Sequence, residues 1–334
     1  MKATGSLFAL TLLALLLTGP AEAACRLEPA VKLPVIIQNG KIFVPGTIEG
    51  HPVEFLVDPA EPDVLLQDAA RRFGVYPNNL GVVPEASIGG LPLRDLPMRV
   101  RTSSFANLGA PDAVAILGRD FLYRFDVEFD IAHHVISLFV PQGCEGSNLA
   151  YWTDHYNVLD MQPNFTRTVN LGPQFSPYIF PHINVNITVN GREIFTALDS
   201  GYSASSLSMA AAHQLGIDRG SSGVVEADAT PDLLDGYVSR TWVATFDEVK
   251  LDAESIKSVA LRFRDFDRNI ALNRQRRSRP PVVNDNAEMV LGADFLISHR
   301  VLISYSQHKV YFSYAEGAPF QTGVLPVDVG AMSR

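Results

Sequence analysis

The chain has 334 residues and a formal net charge of −9, with 36 acidic side chains against 27 Lys and Arg. That balance argues against a dedicated nucleic-acid or anionic-membrane surface, and the length allows two ordinary domains or one large one. Two distant cysteines and scattered histidines have no metal-ligand spacing, so no metal is expected.

In chain order, residues 1–23 read as a secretory signal. Lys2 gives a thin positive start, Leu7 to Leu17 is apolar, and Ala21-Glu22-Ala23 is a small-x-small cleavage site. The apolar run is only about 11 residues, and roughly 20 are needed to span a bilayer. Nothing later is long and apolar enough to span one, so a soluble protein exported to the periplasm or the exterior is expected. In that setting the even pair Cys25 and Cys144 suggests one disulfide, tying the mature N-terminus to the end of the first half.

The order of elements then occurs twice. "GTIEGHPVEFLVDPAEPDVLLQDAARRFGV" and "NITVNGREIFTALDSGYSASSLSMAAAHQLGI" share a glycine eight residues before an aspartate, Gly50 before Asp58 and Gly191 before Asp199. Eight residues after each aspartate stands a leucine, Leu66 and Leu207. A short Ala-rich helical patch follows each, ending at Gly74 and Gly216, where glycine suits a left-handed cap. Further on, "AILGRDFLYRFDVEFDIAHHVISLFV" matches "MVLGADFLISHRVLISYSQHKVYFSY" about Gly118 and Gly292, with Val127 and Val301, then Ile136 and Val310, at equal offsets. Short alternating apolar runs with frequent Gly and Pro make the remaining signals mostly β. Two lobes of one ancestry are the economical reading: 24–142 and 180–334, joined by a connection over 143–179 that is rich in Asn, Pro and Gly. The second half adds "EADATPDLLDGYVSRTWVATF", which reads as a projecting hairpin, and the basic, Pro-rich "NRQRRSRPP" at 273–281, which reads as an exposed loop. Asp120 and Asp294, one in each lobe after the Leu-Gly pair, read as structural turns or caps.

"TALDSG" carries the chemistry. A buried strand stops at Asp199, whose carboxylate is expensive to ionise without partners. Gly201 lets backbone N–H groups approach that carboxylate, and Ser200 offers a hydroxyl to a neighbouring backbone or across an interface. The small neighbours leave space for a second carboxylate, a water and a peptide. At about 3 Å and an effective dielectric near 20, two carboxylates repel by roughly 5 kcal/mol, so such a pair shares one proton over a wide pH range. The ionised member takes a proton from water while the protonated one polarises an amide carbonyl.

Strand, Asp-Ser-Gly, helix and then apolar-apolar-Gly resembles the retropepsin-like and pepsin-like aspartic peptidases, and looks closest to exported bacterial proteins with tandem retropepsin-type lobes. The resemblance spans 35–141 and again 180–315. It implies an all-β fold of two closed β-barrel lobes with pseudo-two-fold symmetry, each with one short helix and each giving one aspartate. It implies Asp199 and Asp58 as the catalytic pair, with Ser200 and Gly201 supporting the turn, a flap within 224–244, no cofactor, and a peptide or protein as substrate. The first lobe departs from the pattern: it has Asp58-Pro59-Ala60, without the hydroxyl and without the glycine, and has no evident flap. Three arrangements stay open: an intrachain Asp58–Asp199 pair, a homodimer presenting Asp199 twice, and a non-catalytic protein binding peptides or a partner in the inter-lobe cleft.

Overall fold

A computed structural model describes residue 25 and residues 27–75, 80–101, 108–140, 142–162, 182–231, 238–265 and 287–322. Residues 1–24, with the signal segment, the basic loop 273–281 and residues 163–179 of the connection lie outside the described residues.

In the first half, β1 (Pro29–Pro34), β2 (Ile36–Gln38), β3 (Lys41–Ile48) and β4 (His51–Asp58) lead to the first aspartate. Glu49 and Gly50, both at positive φ, make the β3–β4 turn, the mirror-image geometry that matches strand twist in a two-residue hairpin. β4 begins exposed and is buried over Phe55 to Asp58. Next come β5 (Val64–Leu66), α1 (Gln67–Arg72), β6 (Leu80–Ile88), β7 (Leu91–Arg101), β8 (Ala113–Gly118), α2 (Arg119–Leu122), β9 (Asp126–Asp130) and β10 (Val135–Phe139). The ring β3-β4-β8-β5-β7-β6 closes on itself where β3 pairs with β6, Gly46 opposite Ile88. Closure removes the open sheet edges.

After β11 (Asn157–Asp160), the second half repeats this plan with β12 (Asn184–Val189), β13 (Arg192–Leu198), β14 (Ser206–Ser208), α3 (Met209–Gln214), β15 (Val225–Pro231), β16 (Val238–Leu251), β17 (Glu254–Arg264), β18 (Met289–Leu291), α4 (Ala293–Ser298), β19 (His299–Ser304) and β20 (Lys309–Tyr314). Asn190 and Gly191 make the equivalent positive-φ turn. The ring β12-β13-β18-β14-β17-β16 closes through β12 and β16, Val189 opposite Val249. The protein is therefore all-β, with two tandem closed six-strand barrels. Among the described residues each lobe has two short α-helices rather than one, because the chain also coils directly after Gly118 and Gly292. Gly74 and Gly216 take positive φ just past α1 and α3.

The lobes share a third sheet, ordered β1-β10-β9-β19-β20-β11. At its centre β9 meets β19 antiparallel: Val127 opposes Ile303, Glu128 opposes Leu302 and Phe129 opposes Val301. Exchanging the equivalent residues of the two lobes returns the same register, which is pseudo-two-fold symmetry expressed in backbone hydrogen bonds. Cys25 and Cys144 form a disulfide with Cα atoms 4.4 Å apart. The connection is more than a tether, since its β11 extends this sheet. No helix among the described residues is long and apolar enough to cross a membrane.

Candidate active site

The two aspartates stand at corresponding ends of internal strands. In β4, Val57 and Asp58 lie beside Leu117 and Gly118 of the parallel strand β8. In the second lobe Leu198 lies beside Leu291, and the Asp199 amide donates to the Leu291 carbonyl at 2.9 Å. The buried ends of these strands, Phe55–Val57 and Thr196–Leu198, carry both carboxyls to the junction of the lobes. Asp58 is fully buried and Asp199 half-buried.

Each carboxylate is held by the amide two residues on: Asp58 Oδ1 accepts from the Ala60 N–H at 3.0 Å, and Asp199 Oδ1 from the Gly201 N–H at 3.1 Å. Pro59-Ala60 thus keeps the backbone turn, and Ala60 does so without a positive φ, so the missing glycine costs the first lobe little here. The missing hydroxyl matters more. Ser200 Oγ donates across the junction to the Val57 carbonyl at 2.7 Å, and Pro59 has no group with which to return that bond.

The loop after Asp58 is one residue shorter than the loop after Asp199. Val64 opposes Ile116 while Ser206 opposes Val290, each opposing residue lying two before its glycine. Leu65, not Leu66, therefore occupies the place of Leu207. By the same register Asp63 corresponds to Ser205, and both accept from the glycine amide: Gly118 N–H to Asp63 Oδ1 at 2.6 Å, Gly292 N–H to Ser205 Oγ at 2.9 Å. Asp120 and Asp294 brace these loops. Asp294, buried, accepts from Ser205 N–H at 2.8 Å and Ser205 Oγ at 2.6 Å, and Asp120 accepts from Asp63 N–H at 3.3 Å.

Asp58 and Asp199 are close enough for their side chains to interact, and Lys41 feels the charge of both. Asp58 Oδ2 is buried without a hydrogen-bond donor, so two such carboxyls can bond to each other only when one of them holds a proton. Burial raises the Asp58 pKa to about 6, against the lowering effects of the Ala60 N–H, Arg119, Lys41 and the Asp199 side chain. Lys41 is itself pushed down by burial, while the attraction of both aspartates opposes that shift. Arg119 donates from Nη1 to the Ala60 carbonyl, and the same nitrogen lies 3.2 Å from His182 Nδ1. Burial and the neighbouring Arg119 hold His182 down at about 3, so it is neutral.

Sequence reading missed Lys41, Arg119 and His182, and a signal for two of them was present. Phe43 opposes Leu56 and Asn184 opposes Ala197, in each case two residues before the aspartate. Lys41 and His182, two residues earlier again, are therefore equivalent, and both stand seventeen positions before their aspartates. Arg119 corresponds to Ala293. In the expected flap segment, β15 and β16 pair antiparallel with Val225 opposite Val243 and Pro231 opposite Val238; residues 232–237, Tyr237 among them, lie outside the described residues. Trp242 is buried and stacked on Phe263 at 6.0 Å, within the core of the lobe.

Two closed barrels on a shared six-strand sheet, each delivering one aspartate to the junction, are consistent with a pepsin-like fold. No family model and no curated protein matches the sequence. Among solved structures the chain is similar to Basic 7S globulin from soybean, with a TM-score of 0.44 and 11% identity over 85% of this chain and 94% of that one. It is also similar to a retropepsin-like aspartic protease from Rickettsia conorii, with a TM-score of 0.28 and 13% identity over 48% of this chain and 91% of that one. Likenesses this loose carry no residue roles, and the strand registers are the firmer ground.

Proposed function

We propose that this protein is an exported aspartic-type endopeptidase that hydrolyses peptide bonds with an intrachain pair, Asp58 and Asp199. The observation that carries the reading is that equivalent strands of two barrels end in Asp58 and Asp199, close enough for their side chains to interact. With one proton between them, the ionised carboxylate takes a proton from water as the water oxygen adds to the amide carbon. The protonated carboxyl stabilises the developing oxyanion. Collapse of the tetrahedral adduct breaks the C–N bond, and the leaving nitrogen takes a proton from the pair. No covalent enzyme intermediate is needed. The contact within one chain favours this arrangement over a homodimer presenting Asp199 twice. Export is supported by the signal-like N-terminus and the disulfide.

Asp58-Pro59-Ala60 favours a second reading, a non-catalytic protein that binds peptides in the cleft, because half of the cross-junction hydroxyl bonding is lost. Digestion of a denatured protein between pH 4 and 8 separates the two. The peptidase reading expects turnover by wild type and a loss of roughly 10²- to 10⁴-fold in both Asp199→Asn and Asp58→Asn, with circular dichroism unchanged. Stoichiometric peptide binding without turnover, or equal digestion by wild type and Asp199→Asn, would rule it out.

A further inference from the structure

The two aspartates are supported unequally. Asp199 sits in a turn whose serine hydroxyl crosses the junction to Val57. On the Asp58 side, proline stands where that hydroxyl would be, and a different group has entered. Arg119, the first residue after the buried Gly118, folds its guanidinium back onto the Asp58 turn. Its Nη1 donates to the Ala60 carbonyl, and its own amide donates to the Glu61 carbonyl at 2.7 Å. One residue thus pins two consecutive peptide groups of the turn and brings a fixed cation beside a buried carboxylate. The equivalent place beside Asp199 holds Ala293, with neither donor nor charge on its side chain.

We propose that Arg119 is a positioning residue that replaces the support Pro59 cannot give, and that it makes Asp58 the ionised, water-activating member of the pair while Asp199 keeps the shared proton. The assignment rests on the peptidase reading for its catalytic meaning, though not for its chemistry. The groups facing Asp58 come from several elements. Asp199 faces it from the loop after β13, Arg119 from α2, Lys41 from the start of β3, and Tyr305 from the turn after β19. Burial pushes the Tyr305 hydroxyl up, so it is neutral, and His182 behind Arg119 is neutral too. Lys41 attracts both aspartates, Asp58 more than Asp199, so it favours one negative charge on the pair and leans toward Asp58 as its bearer. Arg119 has the larger effect on Asp58, because its bond to the Ala60 carbonyl holds its charge on that side.

Carboxyl titration of the intact chain labelled with ¹³C at the aspartate side chains tests this directly, with the two signals assigned through Asp58→Asn and Asp199→Asn. The proposal expects Asp58 to ionise first, near pH 6, while Asp199 stays protonated to higher pH. In Arg119→Met the Asp58 midpoint should rise by about one pH unit or more, and Arg119→Lys should restore most of the shift. The acid limb of kcat/KM should move with it. Asp199 ionising first in wild type, or an Asp58 midpoint unmoved in Arg119→Met, would overturn the proposal, and the wild-type order is decisive even if the methionine variant fails to fold. If the order holds but no peptide is cleaved, the hydrolytic reading fails and the ionisation assignment stands.

Discussion

A carboxyl group buried as deeply as Asp58 is a liability to the fold, and its sign with pH is definite. Its folded-state pKa, about 6, lies above the ordinary value of 3.8. Between those values the folded chain binds more protons than the unfolded one, so stability falls as pH rises and levels off above about pH 7. Asp58→Asn keeps an acceptor for the Ala60 N–H and removes the titration. It should be more stable than wild type by roughly 2–3 kcal/mol above pH 7, with the difference shrinking toward zero below pH 4. Urea unfolding at several pH values reads this, and a pH-independent difference would contradict it. Not every residue of the site is legible from sequence to the same degree. Asp199-Ser200-Gly201 stands out because strand, acid and small residues are contiguous. Arg119 does not, because its part depends on a side chain reaching back across a loop of unrelated sequence. Lys41 and His182 were legible only by aligning the two lobes on their aspartates.

At the level of elements, the apolar-apolar-Gly segments were readable because a glycine follows a fully buried strand in both halves. The reason for the glycines is close approach of backbone. A Cβ on Gly118 would lie 2.2 Å from the Glu61 carbonyl oxygen, and one on Gly292 would lie 2.7 Å from the Ala204 carbonyl carbon. Both positions press against the loop that leaves an aspartate. Gly118→Ala and Gly292→Ala should therefore each lower stability by about 1–3 kcal/mol and reduce activity further than the stability loss alone explains. Denaturant midpoints alongside kcat/KM provide the check, and wild-type behaviour in either variant would contradict the packing account. The pairing of Leu66 with Leu207 by counting from the aspartates was off by one residue. Strand position is set by the antiparallel partner, Ile116 or Val290, and not by distance along a loop that differs in length between the lobes. The short helices α2 and α4 escaped notice because one turn shows no periodicity.

Taken whole, the molecule is a duplicated barrel closed about one sheet, and the duplication was its most legible property. The central sheet was not legible, because pairing of β9 with β19 joins residues far apart in sequence and no local pattern announces it. That sheet holds the lobes in register, reinforced by Arg300 of β19 against buried Glu128 of β9 at 2.8 Å and by the disulfide that anchors the strand-bearing N-terminus. Register is what brings Asp58 to Asp199 within one chain. Calorimetric titration with a peptide carrying a hydroxyl in place of the scissile carbonyl, which resembles the tetrahedral adduct, counts the pairs most directly. One molecule bound per chain, with binding lost in Asp58→Asn and in Asp199→Asn alike, is the predicted result. Half a molecule per chain, or binding that survives loss of either carboxylate, would contradict an intrachain pair.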